Sequence, residues 1–184
     1  ITGLGFAPNF SWFKSRSNAN SHNVYDSVRG GYKYLLPDLA AAEQTGANGF
    51  VSLDSDGFSL NNAGGGGEVN VSGRTYVAWN WKANGSGSSN TDGDVTSTVS
   101  ANVDSGFSIV TYTGNGSNIN VGHGLSKAPE IVIVKVRNDT GGWFMNLKNI
   151  PSQSAGVDMV GELNSSAAIN GLNVGQWYFG STAP

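Results

Sequence analysis

The sequence predicts an all-β fold, a β-sandwich of the jelly-roll or concanavalin-like kind, on three observations. Short runs of β-branched and aromatic residues recur at nearly regular spacing, separated by turns rich in Gly, Asn, Asp and Ser. Charged residues are 12% of the 184-residue chain, with Asn, Ser, Thr and 27 glycines filling the gap, so surface helices lack the Glu, Lys, Arg and Ala they need. Finally, the chain repeats itself. Residues 7–16 read APNFSWFKSR and residues 128–137 read APEIVIVKVR, with Ala, Pro, Lys and Arg at the same places and apolar residues between them.

A repeat spacing of about 120 residues suits tandem modules or a duplicated half, not a solenoid. The expected organisation is a first β module over 1–84 without its leading strand, a polar linker or long loop over 85–94, and a second module over 95–184 without its closing strand. One duplicated sandwich is the alternative. Either way the chain reads as a part of a longer modular protein, with sheet edges covered by neighbours or by other copies.

The elements follow in order. Phe10, Trp12 and Lys14 alternate with Ser11, Phe13 and Ser15, a strand with aromatics on both faces. Asn23–Val28 is a second short strand. Leu35–Gln44, reading LLPDLAAAEQ, is the best helical stretch, because Pro37 suits a first turn and the residues after it are mostly helix formers. It predicts a helix of two or three turns at most. Gly49–Leu53 and Phe58–Leu60 flank the turn Asp54-Ser55-Asp56-Gly57. Gly64–Gly67 is a loop, and Thr75–Lys82 is a strong strand whose Val77, Trp79 and Trp81 share one face, expected to be core. Val95–Val103 reads as an edge strand and Phe107–Thr113 as a strong one. Glu130–Arg137, β-branched on both faces, reads as a central strand. Gly142–Leu147 and Gln176–Phe179 complete the set.

Several chemistries find little support. A net charge of −3 without a dense basic run offers nothing to nucleic acid, and no apolar run is long enough for a membrane helix. Without cysteine there are no disulfides, thiolate metal sites or cysteine nucleophiles. Asp54-Ser55-Asp56-Gly57 begins like a calcium loop, but Gly65 stands where the bidentate Glu belongs, so Asp54 and Asp56 make at best a weak calcium site. His22 and His123 are the only histidines, too few for a conventional zinc site. No Gly-x-Ser-x-Gly elbow occurs, and the reading is of a non-enzyme without cofactor. The residues singled out for contact with a ligand or between modules are Trp143, expected exposed after Gly141-Gly142, and the pairs Lys14/Arg16 and Lys135/Arg137, which end the repeated strands.

The segments FKSRS (13–17), VYDSVRG (24–30), SDGFSL (55–60), GRTYVAWNWKA (73–83), NTDGDVTSTVSANVDSGFSIVTYTGNGS (90–117) and VGHGLSKAPEIVIVK (121–135) resemble a repeated domain of tailed-phage structural proteins, of marine and cyanobacterial phages in particular. The resemblance covers roughly residues 1–147. It implies a virion protein such as a tail fibre, tail-tip adhesin or capsid fibre, outside the cell, with partners that are other virion proteins or copies of itself, a homotrimer among them, and a cell-surface glycan. It carries over no catalytic residue. A carbohydrate-binding module of a secreted bacterial protein and a glycoside hydrolase fragment are the other readings, the first marked by a row of exposed aromatic rings and the second by paired carboxylates in a cleft.

Overall fold

The computed structural model describes residues 1–46, 49–61, 69–147, 159–167 and 170–171. The Gly64–Gly67 loop, the expected strand Gln176–Phe179 and Trp177 within it lie outside the described residues. The fold is all-β, with no helix among the described residues. Its strands are β1 (Phe10–Ser15), β2 (Asn23–Asp26), β3 (Lys33–Tyr34), β4 (Gln44–Thr45), β5 (Phe50–Asp54), β6 (Gly57–Leu60), β7 (Tyr76–Trp81), β8 (Ser88–Asn90), β9 (Ser97–Asn102), β10 (Phe107–Tyr112), β11 (Ile131–Lys135), β12 (Trp143–Leu147), β13 (Met159–Glu162) and β14 (Asn170–Gly171). All pairings between them are antiparallel.

The first sheet runs β2-β1-β7 and is extended through a bridge from Val24 to Leu35, beside the small β3-β4 pair. The inward face of β1 carries Ser11, Phe13 and Ser15, all buried. Phe13 meets Tyr25 of β2, Tyr34 of β3 and the β5-β6 hairpin in the main apolar cluster, which also holds Phe50, Phe58 and Val69. Its rings pack edge to face (Phe13 on Phe58, 4.9 Å) or stacked (Tyr25 on Phe50, 4.1 Å), the two geometries that aromatic quadrupoles favour. The hairpin forms at the expected turn. A Cβ on Gly57 would lie 2.0 Å from the Ile1 carbonyl oxygen, so only glycine lets the first residues cross there.

The second sheet runs β10-β9-β8 and the third β11-β12-β13-β14. Three expectations change here. The 85–94 stretch contains β8, and Ser100 Oγ holds its entry by accepting from Asn84 N–H and donating to Gly85 C=O, both at 2.8 Å. β9 is the middle strand of its sheet and not an edge, because β8 supplies a partner that a linker would not. β11 is an edge strand among the described residues, not a central one, and Ile131 and Ile133 are 58% and 44% exposed.

Leu35–Gln44 is not helical either. Leu35 exchanges both backbone hydrogen bonds with Val24, and Gln44 pairs with Tyr34. Between them Glu43 N–H donates to Arg137 C=O and Ala40 C=O accepts from Gly141 N–H. Partners distant in sequence thus take backbone groups that a helix would have used internally, and tertiary pairing overrides propensity.

The duplication extends well beyond the matched decapeptides. β1-β2 and β11-β12 are hairpins in the same register, Phe13 opposite Asn23 and Val134 opposite Phe144. β3-β4 and β13-β14 match too, with Lys33 opposite Thr45 and Met159 opposite Gly171. Lys14 Nζ donates to the carbonyls of Ser15 and Asn18, one and four residues on, and Lys135 Nζ donates to those of Val136 and Asp139, again one and four residues on. His22 N–H donates to Asp38 Oδ1 and Trp143 N–H to Asn164 Oδ1. The two four-strand units are copies of one design.

Candidate functional site: an aromatic sheet face

Strand alternation sends Phe10, Trp12 and Lys14 of β1 to the face opposite Phe13. On β7 their cross-strand neighbours are Trp81, Trp79 and Val77. The other side of β7 carries Tyr76, Ala78 and Asn80. Ala78 packs on the core, and Asn80 Oδ1 accepts from the buried Ser11 hydroxyl at 2.6 Å. Ala78 and Asn80 therefore face inward on the middle and end of β7, because Phe13 and the β5-β6 hairpin already fill that side. The tryptophans face outward. Trp79 is 45% exposed and Trp81 38%, which corrects the expectation that both are core.

The rings form two groups on this face. Trp12 meets Trp79 edge to face at 6.3 Å, and Phe10 meets Trp81 at 5.3 Å. Phe107 of β10 stacks on Trp81 at 5.9 Å and an interplanar angle of 17°. Trp79 and Trp81, two positions apart on one strand, lie about 7 Å apart along it. At one end Trp12 Nε1–H donates to His22 Nδ1 at 2.8 Å, which places the proton of the neutral imidazole on Nε2. Burial lowers the His22 pKa below its ordinary value, Asp38 pulling the other way and Lys14 adding to the fall. Such a surface supplies flat apolar contact with an indole N–H fixed in place. An exposed patch of this kind marks a contact site more often than a gap in packing.

The residues singled out from sequence lie elsewhere and do other things. Trp143 is 7% exposed, a correction to its expected exposure: its Nε1–H donates to Leu36 C=O at 3.0 Å, and the neighbouring Gly141 N–H donates to Ala40 C=O. Arg137 donates to both carboxylate oxygens of Glu43, at 2.9 and 3.0 Å. Glu43 also meets the buried Arg29, which is paired with Asp26. Burial alone would raise the Glu43 pKa, but the hydrogen bonds and charges of Arg137 and Arg29 outweigh it and hold the carboxyl below its usual range. Arg137 and Trp143 thus fasten the second repeat to the first. Lys14 and Lys135 tie down the turns that follow their own strands, and Arg16 is exposed. None of these five lies in the aromatic surface apart from Lys14 at its margin.

The Asp54 carboxylate accepts from the Ser52 and Ser59 hydroxyls, which lower its pKa, and Asp56 accepts from Gly3 and Gly5 N–H. Among the described residues no three acidic or histidine side chains converge as a metal site would require. His123 Nδ1 accepts from Leu125 N–H, a contact internal to its turn. The aromatic face was missed in sequence because alternation separates two faces without saying which is inward. The signal was the size mismatch between the two sides of β7, read in the wrong direction.

Residues 1–182 match the family model of a domain of unknown function, DUF7483. No curated protein and no solved structure matches the chain.

Proposed function

We propose that this chain, which belongs to the DUF7483 family, is a non-catalytic attachment module of a phage virion protein that holds cell-surface glycan on the aromatic face of its first sheet. The observation that carries the reading is the outward display of Trp79 and Trp81 beside Trp12 and Phe10, on a strand whose inner side is filled by Ala78 and Asn80. Flat indole faces bind the C–H faces of sugar rings with little loss of side-chain freedom. Single contacts of this kind are weak, and attachment draws its strength from many copies on a symmetric fibre, of which a homotrimer is the simplest. The resemblance to tailed-phage structural proteins supplies the virion setting. A secreted bacterial carbohydrate-binding module would use the same face, and the genes beside this one separate the two settings.

The carboxylates support a non-catalytic role. Asp26 and Glu43 are engaged by Arg29 and Arg137, Asp54 by two hydroxyls, and Asp56 by backbone N–H groups, so each has a structural task. The test is binding of the full chain to an array of neutral and acidic glycans, repeated with Trp79→Ala and Trp81→Ala. Each ring removed is expected to weaken binding about tenfold. Failure of the chain to bind any glycan, or unchanged binding by the double variant, overturns the reading.

A further inference from the structure

The two repeats differ at one edge. β1 is paired on both sides, by β2 and by β7, whereas among the described residues β11 is paired by β12 alone. Alternation shows which groups this leaves. Arg16 N–H donates to Thr75 C=O on the β7 side, so residues at even spacing from Arg16, namely Lys14, Trp12 and Phe10, present their backbone groups to β7. The matching residues of the second repeat are Arg137, Lys135, Ile133 and Ile131. Arg137 conforms, since its carbonyl accepts from Glu43 N–H on that same outer side. The first repeat thereby seals the end of the β11 edge and leaves the stretch from Ile131 to Lys135 open among the described residues.

The side chains agree with the backbone. Phe10 and Trp12 are half-buried beside Trp81 and Trp79, while the matching Ile131 and Ile133 are exposed. The open edge carries none of the usual guards against pairing. It has no proline and no bulge, and its one charge, Lys135, is turned onto the carbonyls of Val136 and Asp139.

We propose that the β11 edge is a docking site for an antiparallel strand of the β7 type, one with tryptophans at alternate positions, supplied by another polypeptide segment. The first repeat is the argument for this occupant, because it shows the same edge filled by such a strand in a defined register, Trp81 opposite Phe10 and Trp79 opposite Trp12. In that register the two incoming indoles cover Ile131 and Ile133. Main-chain pairing supplies the affinity and the alternate apolar side chains the selectivity, as in other strand-addition sites. This inference does not depend on the glycan reading.

The probe is a fluorescent peptide of residues 74–83, RTYVAWNWKA, titrated onto the full chain and followed by anisotropy. Saturable one-to-one binding is expected, weakened at least tenfold when both peptide tryptophans are replaced by serine. Ile133→Pro removes an N–H from the open edge while leaving the β12 side intact, so it is expected to fold and to lose the peptide. Ile133→Lys, with unchanged far-UV circular dichroism, is a second variant for the same purpose. Trp79→Ala in the chain is expected to leave peptide binding unaltered. No binding up to millimolar peptide, or equal binding by both Ile133 variants, overturns the proposal. So does a dimer of the chain alone that Ile133→Pro dissociates, which would assign the edge to a second copy.

Discussion

The two repeats share a backbone plan and differ in what fills it. In the first, β1 presents Phe13 inward, and an aromatic cluster from four further segments closes over it. In the second, the matching position is Val134, half-buried, and the neighbouring Ile131, Ile133 and Phe144 are exposed. Turn and hairpin geometry persist across the duplication because they rest on local contacts, the lysine hooks and the side-chain acceptors Asp38 and Asn164. The core does not persist, because it depends on the β5-β6 hairpin and β7, elements with no described counterpart in the second repeat. Local geometry and core packing are therefore separable properties of this fold.

The sharpest way to break the comparison is at the matched positions. Phe13→Ala is expected to destabilise the chain by about 3–5 kcal/mol, and Val134→Ala by less than about 1.5 kcal/mol, in denaturant melts followed by fluorescence. Near-equal losses would show that the second repeat has a core as tight as the first. Next comes the clasp between the repeats. Glu43→Ala leaves Arg137 without its bidentate acceptor and Arg29 with Asp26 and the Val24 carbonyl, at an expected cost of about 2 kcal/mol. It should also raise hydrogen exchange at Gly141, whose N–H the clasp holds through Ala40.

Trp79→Ala and Trp81→Ala are expected to cost about 1–2 kcal/mol each, less than Phe13→Ala, since the rings are only partly buried. A loss near that of Phe13→Ala would return them to the core and remove the candidate site.

The smallest expected effect is with pH. The folded chain favours neutral His22, so its pKa lies below the unfolded value. The stabilisation is complete above about pH 6.5 and is lost as pH falls through the folded pKa. Protonation places a hydrogen on Nδ1 and removes the acceptor of Trp12 Nε1–H. Trp12 emission should shift between pH 7 and pH 5, and His22→Gln should abolish the shift. The second repeat carries Trp143 at the His22 position and offers no comparable titration there.

Most of the fold was legible in the sequence. Alternation and turn chemistry located β1, β2, β7, β10, β11 and the β5-β6 hairpin, since these signals are local. The decapeptides pointed to the duplication. What was not legible depended on partners distant in sequence. Leu35–Gln44 reads as helix until Val24, Arg137 and Gly141 claim its backbone groups. Trp143 follows two glycines and reads as exposed until its indole N–H is drawn to the Leu36 carbonyl. Trp79 reads as core by size, and only the arrival of Phe58 against Phe13 shows that the inner side is full.

The clasp of Glu43 with Arg137 and Arg29 has a consequence for the medium in which the chain works. The Glu43 side chain is only 13% exposed and that of Arg29 3%, so mobile ions approach that pair poorly, whereas Arg137, at 38%, meets solvent. Salt screens charges separated by water over about 8–10 Å at physiological strength and over about 3 Å near molar strength, but it acts weakly on pairs shielded by protein. The contact between the repeats should therefore weaken only in part from fresh water to brine, its Arg29–Glu43 end holding while the Arg137 end feels the salt.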